Sequence, residues 1–248
     1  MFQMFQIDRS SRSIGGRKGV ETIETIGGRA MGGASPRLYS AACERNKGPI
    51  LEVLRSHLVK SPRLPARILE LACGSGQHCA FLAGHLAKDG LVQRWFPTDL
   101  GISEKRSSVE GYVTEEPGAS DVVELPAREL DASHEAWAEE VKDLQLTDIY
   151  VSNLTHISPW EATVGLLSGA GKVLPPQGSV IIYGPFKVDF NHTSESNAAF
   201  DESLQSRDPR WGYRDVSEIE EEASKHGLEL VQTISMPANN KTLLLRKG

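Results

Sequence analysis

The stretch from Arg67 to His78 reads RILELACGSGQH, and it decides the fold that we expect for this chain. Its apolar run contains one acid, Glu70, and ends at a turn in which Gly74 and Gly76 flank a serine. The residues that follow His78 are typical of a helix. The stretch therefore predicts a strand, a tight loop and a helix, with small residues where a ligand approaches the backbone.

A Gly-x-Gly turn does not by itself identify a ligand, because nicotinamide, flavin and adenosyl cofactors all bind at such turns. The acid Glu70 just before the turn is more specific. Class I methyltransferases that use S-adenosyl-L-methionine (SAM) place a carboxylate there, facing the cofactor, whereas dinucleotide-binding proteins usually carry glycine or an apolar residue. The alternative interpretation is an ordinary strand-to-helix turn without a ligand.

The composition limits the class of protein. A chain of 248 residues suits one α/β domain with a modest extension. No apolar run approaches the roughly 20 residues of a membrane span, so we expect no membrane association. The net charge of -6, without a basic cluster after the N-terminus, argues against a nucleic-acid partner. The three cysteines lack metal-ligand spacing, so we expect no metal. They also cannot form a complete set of disulfides, so we expect a reducing, cytoplasmic location.

Residues 1–35 differ from the rest of the chain, because they are rich in glycine and lack sustained periodicity. We expect a disordered leader there. An organelle transit peptide is the alternative, since serine and arginine are frequent in this segment, although Asp8, Glu21 and Glu24 weaken that signal. Residues 36–248 then form the domain.

From residue 36 onward, strand-like runs alternate with helix-like segments. The predicted strands lie in residues 68–71, 91–98, 122–130, 148–153, 179–183, 228–234 and 242–246, and Pro126 interrupts the third of them. The predicted helices are residues 40–58, 77–87, 133–143, a segment from 158, about 196–204 and 215–226. This order predicts a doubly wound, mostly parallel, seven-stranded Rossmann-like sheet with an antiparallel edge strand. For the helix from Ser158, a Ser-x-x-Glu capping box ending at Glu161 and a proline at the first helical position predict the start.

In such a sheet, ligands bind beyond the carboxyl ends of the strands. Asp99 ends the second of the seven strands, where an acid can accept both ribose hydroxyls. Asp131 ends the third, where a carboxylate can take the adenine amino group. Both residues also suit the alternative role of a turn or helix cap.

The fourth strand ends at Asn153, which faces the transferable methyl group in this fold. Nucleobase amino methyltransferases carry an Asn/Asp-Pro-Pro-aromatic motif there, and its absence argues against nucleic-acid substrates. His156 lies just before a predicted helix N-terminus, whose positive end disfavours protonation, so a neutral imidazole can act as general base. The alternative role for His156 is to bind loop backbone. Trp160, in the first turn of the next helix, either stacks on the substrate or packs in the core.

Beyond these positions, the chain resembles the methyltransferase-like protein 26 family from about residue 36 to the end. The resemblance rests on PRLYSAACERNK (36–47), LELACGSGQH (69–78), HISPWEAT (156–163), YGPF (183–186), TSESNAAFD (193–201), DPRWGYRD (208–215) and MPANN (236–240). This family belongs to the class I SAM-dependent methyltransferases and is largely of unknown function. Its polar blocks are far more specific than a glycine motif.

The resemblance implies SAM as the cofactor and a set of residues that line its site. These are Glu70, Gly74, Gly76, Asp99 and Asp131, to which we add Asn153 and Ala72, the latter where many class I enzymes have their first glycine. The catalytic candidates are His156, Asn153 and Tyr183. The acceptor-pocket candidates are polar or aromatic: Tyr39, Arg45, Asn46, Trp160, Phe186, Glu195, Asn197, Asp201, Arg210 and Trp211, with Arg214, Asn239 and Asn240 as further candidates.

We therefore expect a SAM-dependent methyltransferase that transfers a methyl group by in-line displacement to a small polar acceptor. Residues 186–214 interrupt the alternation and are expected to form the acceptor-side wall and a partial lid. A protein acceptor, a nicotinamide-dependent oxidoreductase and a binding module are the alternatives. Against the oxidoreductase, the turn lacks a third small residue. The sequence predicts no oligomeric state.

Overall fold

The structure, a computed structural model, describes residues 23–26, 37–134 and 136–248. Of the predicted disordered leader, residues 23–26 form a strand, so the expectation of disorder does not apply to them. The rest of the leader, including the alternative of a transit peptide, lies outside the described residues. Within the described part, no helix has the length and apolar character needed to span a bilayer.

The described part contains nine strands and seven α-helices. The strands are β1 (Ile23–Ile26), β2 (Arg37–Ser40), β3 (Ala66–Leu71), β4 (Val92–Asp99), β5 (Arg128–Glu129), β6 (Asp148–Ser152), β7 (Ser179–Pro185), β8 (Leu228–Ser235) and β9 (Asn240–Lys247). The helices are α1 (Ala41–Leu58), α2 (Gln77–Lys88), α3 (Arg106–Glu115), α4 (Trp137–Val141), α5 (Trp160–Val173), α6 (Glu195–Arg207) and α7 (Val216–Lys225).

Seven strands form the central sheet, in the order β5-β4-β3-β6-β7-β9-β8. The first five are parallel, and β9 is antiparallel to both of its neighbours. The predicted doubly wound, mostly parallel sheet is therefore confirmed. Because the chain moves outward from β3 to β5 and then returns to the other side of β3 with β6, the strand order reverses between β3 and β6. Ligands bind at such a switch point, beyond the carboxyl ends of the strands.

The central strands are buried on both faces, as expected for a parallel sheet covered by helices. Side chains alternate along β3, so Ile68 packs with α1, α2 and α3, whereas Leu69 and Leu71 pack with α4, α5 and α7. Two apolar layers result, and they fix the positions of the strand ends that carry the candidate site.

Two predicted elements are shorter than expected. The predicted third strand, residues 122–130, is reduced to β5, because Pro126 has no N–H to donate to the ladder. Before that proline, Val123 makes only an isolated bridge to Trp95. The predicted helix over residues 133–143 is reduced to the short α4, followed by a 3₁₀ turn at Lys142–Leu144.

The predicted capping box at the start of α5 is wrong. The N-cap of α5 is Pro159, and no side chain caps it. The Ser158 hydroxyl instead donates a hydrogen bond to the carbonyl oxygen of Leu154, at 2.8 Å. A capping box does occur at α7, where Asp215 and Glu218 satisfy each other's backbone N–H groups. The helix predicted over residues 215–226 is thus α7, with Asp215 as its N-cap.

Strand β2 crosses the carboxyl edge of the sheet and is held there by side chains. The Leu38 N–H donates to the Ser108 hydroxyl at 3.0 Å, and the Ser40 N–H donates to Oε1 of Gln77 at 2.6 Å. Strand β1 pairs with β2 in an antiparallel register. The start of α2, which follows the glycine turn, therefore lies against the N-terminal part of the described chain.

Candidate active site

Strained backbone marks the switch point. Ala72 and Asn153, the first residues beyond β3 and β6, both have left-handed backbones, with φ of 60° and 59°. A left-handed conformation costs a residue with a Cβ about 1–2 kcal/mol, although asparagine tolerates it better. Strain of this kind concentrates at ligand sites, and both residues are among the predicted cofactor contacts.

The two glycines of the turn are required for different reasons. Gly76 has φ of 88°, and a Cβ there would lie 2.6 Å from the Val109 Cα atom, so this glycine allows α3 to pack against the turn. Gly74 has φ of 56°, and a Cβ there would have nothing within 4 Å. The open space of the turn is therefore beside Gly74.

Asp99 ends β4 and is held against the turn. Its Oδ2 atom accepts a hydrogen bond from the Gly74 N–H at 2.7 Å, and its Oδ1 atom pairs with the Lys105 ammonium group. Asp99 is 5% exposed. Burial raises the pKa of Asp99 above its ordinary value, although Lys105 and the Gly74 N–H act in the opposite direction.

Glu70, the acid of the deciding stretch, is bonded to interior side chains. It is 1% exposed, and its Oε2 atom accepts a hydrogen bond from Nε1 of Trp95 at 2.7 Å. Burial raises the pKa of Glu70 to about 7, while hydrogen bonds from Trp95 and Cys79 lower it and the Asp99 charge raises it further. Its predicted contact with the cofactor stays a prediction.

Asp131 takes the alternative role of a turn cap. Its Oδ1 atom accepts hydrogen bonds from the Ser133 N–H at 2.9 Å and from the Ser133 hydroxyl at 2.7 Å. This is the local bonding that aspartate favours in turns. Any contact with adenine would be made by the other carboxylate oxygen, Oδ2, and this contact stays a prediction.

The general-base candidate, His156, is buried beneath aromatic rings. It is 2% exposed and packs edge-on against Phe200 and Tyr213, with ring centroids 6.2 and 5.9 Å away. Burial lowers the pKa of His156 to about 3, and the Arg214 charge lowers it further. The imidazole is neutral, as expected, but burial rather than the helix N-terminus is the main cause.

Among the described residues, the Nδ1 atom of His156 has no hydrogen-bond partner, so the structure shows no bond from this atom to loop backbone. Gly184 of β7 lies beside this nitrogen, since a Cβ added at Gly184 would be 3.5 Å from Nδ1. An unpaired buried nitrogen is costly, typically about 1–3 kcal/mol, and such a group calls for an explanation.

Asp201, a predicted acceptor residue, is occupied by the protein itself. Its Oδ1 atom accepts from the Tyr213 N–H at 2.7 Å, and its Oδ2 atom pairs with His192 at 2.8 Å and Lys187 at 3.0 Å. Asp201 is 2% exposed. It therefore ties α6 to the segments before and after it, and a direct contact with an acceptor would have to displace these partners.

Two arginines of this region, Arg214 and Arg210, are also bound to other parts of the protein. The Arg214 guanidinium donates to the carbonyl oxygens of Thr155 and Ser158, at 3.0 and 2.8 Å, and lies over the Trp160 ring. These bonds, and not an ion pair with the adjacent Asp215, hold the Arg214 side chain among the described residues. Arg210 is exposed and pairs with Asp208 at 2.7 Å.

The remaining predicted site residues differ in their partners and in their burial. Asn197 is buried and donates to Oγ1 of Thr193 and to the Asn239 carbonyl oxygen, at 3.0 and 3.3 Å. Asn46 bonds Nε2 of His78 at 2.6 Å. Tyr183 and Phe186 are buried near the end of β7 and just beyond it, Tyr39 and Trp211 are half-buried, and Arg45 and Glu195 are exposed.

Sequence reasoning missed two residues that hold the site together. Lys105 pairs with Asp99, and Gln77 bonds both the Ser40 N–H and the Glu44 carboxylate. A lysine six positions beyond the strand-ending acid was the available signal for the first. The second lies within the deciding stretch, directly after Gly76.

The comparisons with known proteins agree with this architecture. A family model described as a protein of unknown function, DUF938, matches residues 37–247. Three solved structures illustrate the similarity in fold. An O-methyltransferase family protein from Burkholderia thailandensis is 15% identical, with a TM-score of 0.59 over 84% of this chain and 60% of that one.

The mitomycin 7-O-methyltransferase MmcR is 15% identical, with a TM-score of 0.62 over 82% of this chain and 54% of that one. The SAM-dependent methyltransferase SibL, in its apo form, is 17% identical, with a TM-score of 0.61 over 84% and 56%. At these identities the similarity shows the fold alone, which is that of class I methyltransferases. The chain spans 54–60% of the length of these three proteins.

Proposed function

Because this chain belongs to the DUF938 family of proteins of unknown function and has the class I methyltransferase fold, we propose that it is a SAM-dependent methyltransferase. One observation carries the proposal: at the switch point, the Asp99 carboxylate is bound to the N–H of a glycine that leaves open space beside it. An acid at the end of the neighbouring strand suits a ribose, and an open glycine turn suits a ligand that approaches the backbone.

The family-level resemblance seen in the sequence belongs to the same proposal. The blocks that resemble the methyltransferase-like protein 26 family begin at about residue 36 and continue to the end of the chain. The DUF938 match covers nearly the same residues, 37–247. We propose that this chain is a member of the methyltransferase-like protein 26 family.

The residues at the turn fit SAM. Asp99 would hold the ribose hydroxyls, and Gly74 and the strained Ala72 would border the rest of the cofactor. When bound, SAM supplies a methyl group on a sulfonium that is already activated toward nucleophiles. The protein therefore needs to align an acceptor and, for some acceptors, to remove a proton.

His156 is the proposed proton acceptor for such cases. Its Nδ1 atom has no partner among the described residues, and because burial is the main cause of its low pKa, exposure to an acceptor would raise its basicity toward that of an ordinary imidazole. Because the ring is buried beneath Phe200 and Tyr213, an acceptor would reach it only when α6 moves outward. Buried aromatic rings around one unpaired nitrogen favour a small molecule over a polymer.

Binding measurements test the proposal. Calorimetry should give binding of SAM and S-adenosylhomocysteine, and no binding of NAD or NADP. Asp99→Ala should lose hydrogen bonds to the ribose worth about 2–4 kcal/mol, which corresponds to a roughly 30- to 1000-fold weaker affinity. Asp121→Ala, at an exposed aspartate, is the matched control and should bind like the wild type.

Three outcomes would contradict the proposal in different ways. Binding of NAD or NADP alone would favour the oxidoreductase, and binding of none of these ligands would favour a binding module. Equal SAM affinity for Asp99→Ala and the wild type would remove Asp99 from the site. A screen of metabolite extracts with labelled SAM would then identify the acceptor, and purified proteins in the same assay would test the alternative of a protein acceptor.

A further inference from the structure

The ion pair between Asp99 and Lys105 is buried at the edge of the proposed cofactor site. The side chains of Lys105 and Asp99 are 11% and 7% exposed. The Lys105 ammonium group also donates a hydrogen bond to the Leu100 carbonyl oxygen at 3.1 Å. Both contacts lie at the β4 end of the short loop that leads to α3, so the Lys105 side chain reaches back across that loop.

The loop that carries Lys105 is itself fixed from the neighbouring strand. The Glu129 carboxylate, at the end of β5, accepts hydrogen bonds from the Gly101 N–H at 2.5 Å and from the Ile102 N–H at 3.0 Å. These bonds hold the 3₁₀ turn Ile102–Glu104, directly before Lys105. The position of the ammonium group is thus built into the fold.

The Asp99 carboxylate is held at both oxygens. Gly74 donates to Oδ2 at 2.7 Å, and Lys105 binds Oδ1. Two anchors on different oxygens prevent the carboxylate from rotating. Since an ionised carboxylate offers about four lone-pair sites, each oxygen keeps one for another donor. A ribose diol presents two hydroxyl donors, which matches this arrangement.

The surroundings otherwise oppose the ionised form of Asp99. Burial raises the pKa of Asp99, and the Glu129 charge raises it further. Glu70 on β3 and Cys73 in the turn also interact electrostatically with Asp99. The charge and hydrogen bond of Lys105 are the main effects that lower this pKa, and the Gly74 N–H adds to them.

We propose that Lys105 is a positioning residue for the cofactor site, which keeps the Asp99 carboxylate in the ionised form that accepts hydrogen bonds from the ribose hydroxyls. The inference rests on the proposed function, because it assumes that Asp99 binds the ribose of SAM. It assigns Lys105 no contact with the cofactor. Its effect on SAM binding must therefore pass through the protonation state of Asp99.

The pH dependence of SAM binding tests this inference. SAM affinity is measured by calorimetry at pH 6, 7 and 8 for the wild type, Lys105→Met and Lys105→Arg, with the wild-type profile as the reference. We expect the Lys105→Met dissociation constant to rise by about tenfold more than the wild-type value between pH 8 and pH 6, since each pH unit below a pKa costs up to tenfold in the ionised form. Lys105→Arg should restore the wild-type profile.

Control variants separate this effect from a loss of structure. Lys142→Met removes an exposed lysine that pairs with Glu139, and it should follow the wild type. In the Asp99→Asn background, Lys105→Met should add no pH dependence, because the asparagine has no proton to gain. Melting temperatures at each pH identify any variant that is partly unfolded.

Each outcome has one interpretation. If the wild type does not bind SAM, the proposed function fails. If the wild type binds SAM and Lys105→Met follows its pH profile, the inference is wrong, whether affinity is unchanged or is reduced equally at every pH. An equal reduction at every pH would mean that Lys105 acts by orienting Asp99 or by contacting the cofactor, and not by keeping Asp99 ionised.

Discussion

Glu70 shows how one residue links the sequence motif to the stability of the fold. The motif places an acid before the glycine turn, but the sheet encloses that acid within the core, beside Trp95. A buried carboxyl group has its folded-state pKa raised, here from 4.5 to about 7. The folded state therefore binds more protons than the unfolded state between these values, and stability falls as the pH rises through this window.

This fall in stability with rising pH gives a prediction for Glu70→Gln. The variant has no proton to release, and its amide oxygen can still accept the Trp95 N–H. Its free energy of unfolding, relative to the wild type, should increase by about 2–3 kcal/mol between pH 5 and pH 8. Urea denaturation at both pH values measures this change. Glu124→Gln, at an exposed glutamate, is the control, and equal changes for both variants would show that Glu70 ionises freely.

A second prediction compares the two glycines of the turn. Gly76→Ala places a Cβ 2.6 Å from the Val109 Cα atom, so it should destabilise the protein by about 2–4 kcal/mol. Gly74→Ala meets no atom within 4 Å and should cost only about 1 kcal/mol of left-handed strain. If the open space beside Gly74 is the cofactor cradle, Gly74→Ala should nevertheless weaken SAM binding by about tenfold or more.

Denaturation and calorimetry on the two glycine variants separate stability from binding. Wild-type SAM affinity in a folded Gly74→Ala protein would mean that the cofactor does not approach this glycine. A Gly76→Ala protein as stable as the wild type would mean that α3 shifts at little cost.

At the scale of elements, helix α6 determines the environment of His156. Phe200 on α6 packs edge-on against the imidazole, and Asp201 ties the helix to both flanking segments. The lid predicted from the polar segment 186–214 thus corresponds to a helix that covers the general-base candidate. Whether it opens for an acceptor remains a prediction.

Removing the cover should change the titration of the histidine. Phe200→Ala should admit water and raise the pKa of His156 from about 3 toward 6.5, because burial is the main cause of the low value. Side-chain NMR between pH 4 and pH 8 measures this shift. Phe190→Ala, at a phenylalanine that is 70% exposed, is the matched control and should leave the His156 titration unchanged. A Phe200→Ala protein with the wild-type titration would show that other residues keep the ring dry.

The elements also show which features a sequence can predict. The apolar runs of β3, β6 and β7 are buried on both sheet faces, so they were readable as strands. The edge strand β5 is shorter than the predicted segment, because Pro126 interrupts its pairing and only two residues pair after it. The predicted capping box at Ser158 is wrong because a local motif does not show the contacts that Ser158 makes. Its hydroxyl donates to the Leu154 carbonyl oxygen, and its own carbonyl oxygen accepts from Arg214.

The site follows the same division. Asp99 could be placed because it directly ends a strand, and the parallel order fixes where strand ends meet. Lys105 could not, because its contact with Asp99 depends on the turn that Glu129 holds from another strand. Nor could the burial of His156 be foreseen, since Phe200 and Tyr213 come from distant parts of the chain.

At the scale of the whole molecule, the N-terminal part of the described chain rests on the site-bearing edge. Removal of residues 1–35 deletes β1 but leaves the β2 bonds to Ser108 and Gln77. The melting temperature should therefore fall by no more than about 4 °C, and SAM affinity should be unchanged. Removal of residues 1–40 deletes β2 and the Ser40 cap of α1 as well, and should lower the melting temperature much further.

Thermal denaturation of the two shortened chains, with SAM titrations, checks this difference. An equally large fall for both would mean that residues 1–35 contribute to the fold well beyond the single strand pair that the structure describes.

The position of β9 between β7 and β8 has a consequence for biosynthesis. The ribosome makes β8 before β9, yet β8 pairs within the sheet only with β9. The parallel strands can associate while the chain is still emerging, but β8 must wait until the strand after it has been translated. Until then, the outer side of β7 is an open edge, which is prone to pairing with other chains. Completion of the sheet thus has to wait for the translation of β9, and the pairing of β9 with β7 is what protects this edge from pairing with other chains.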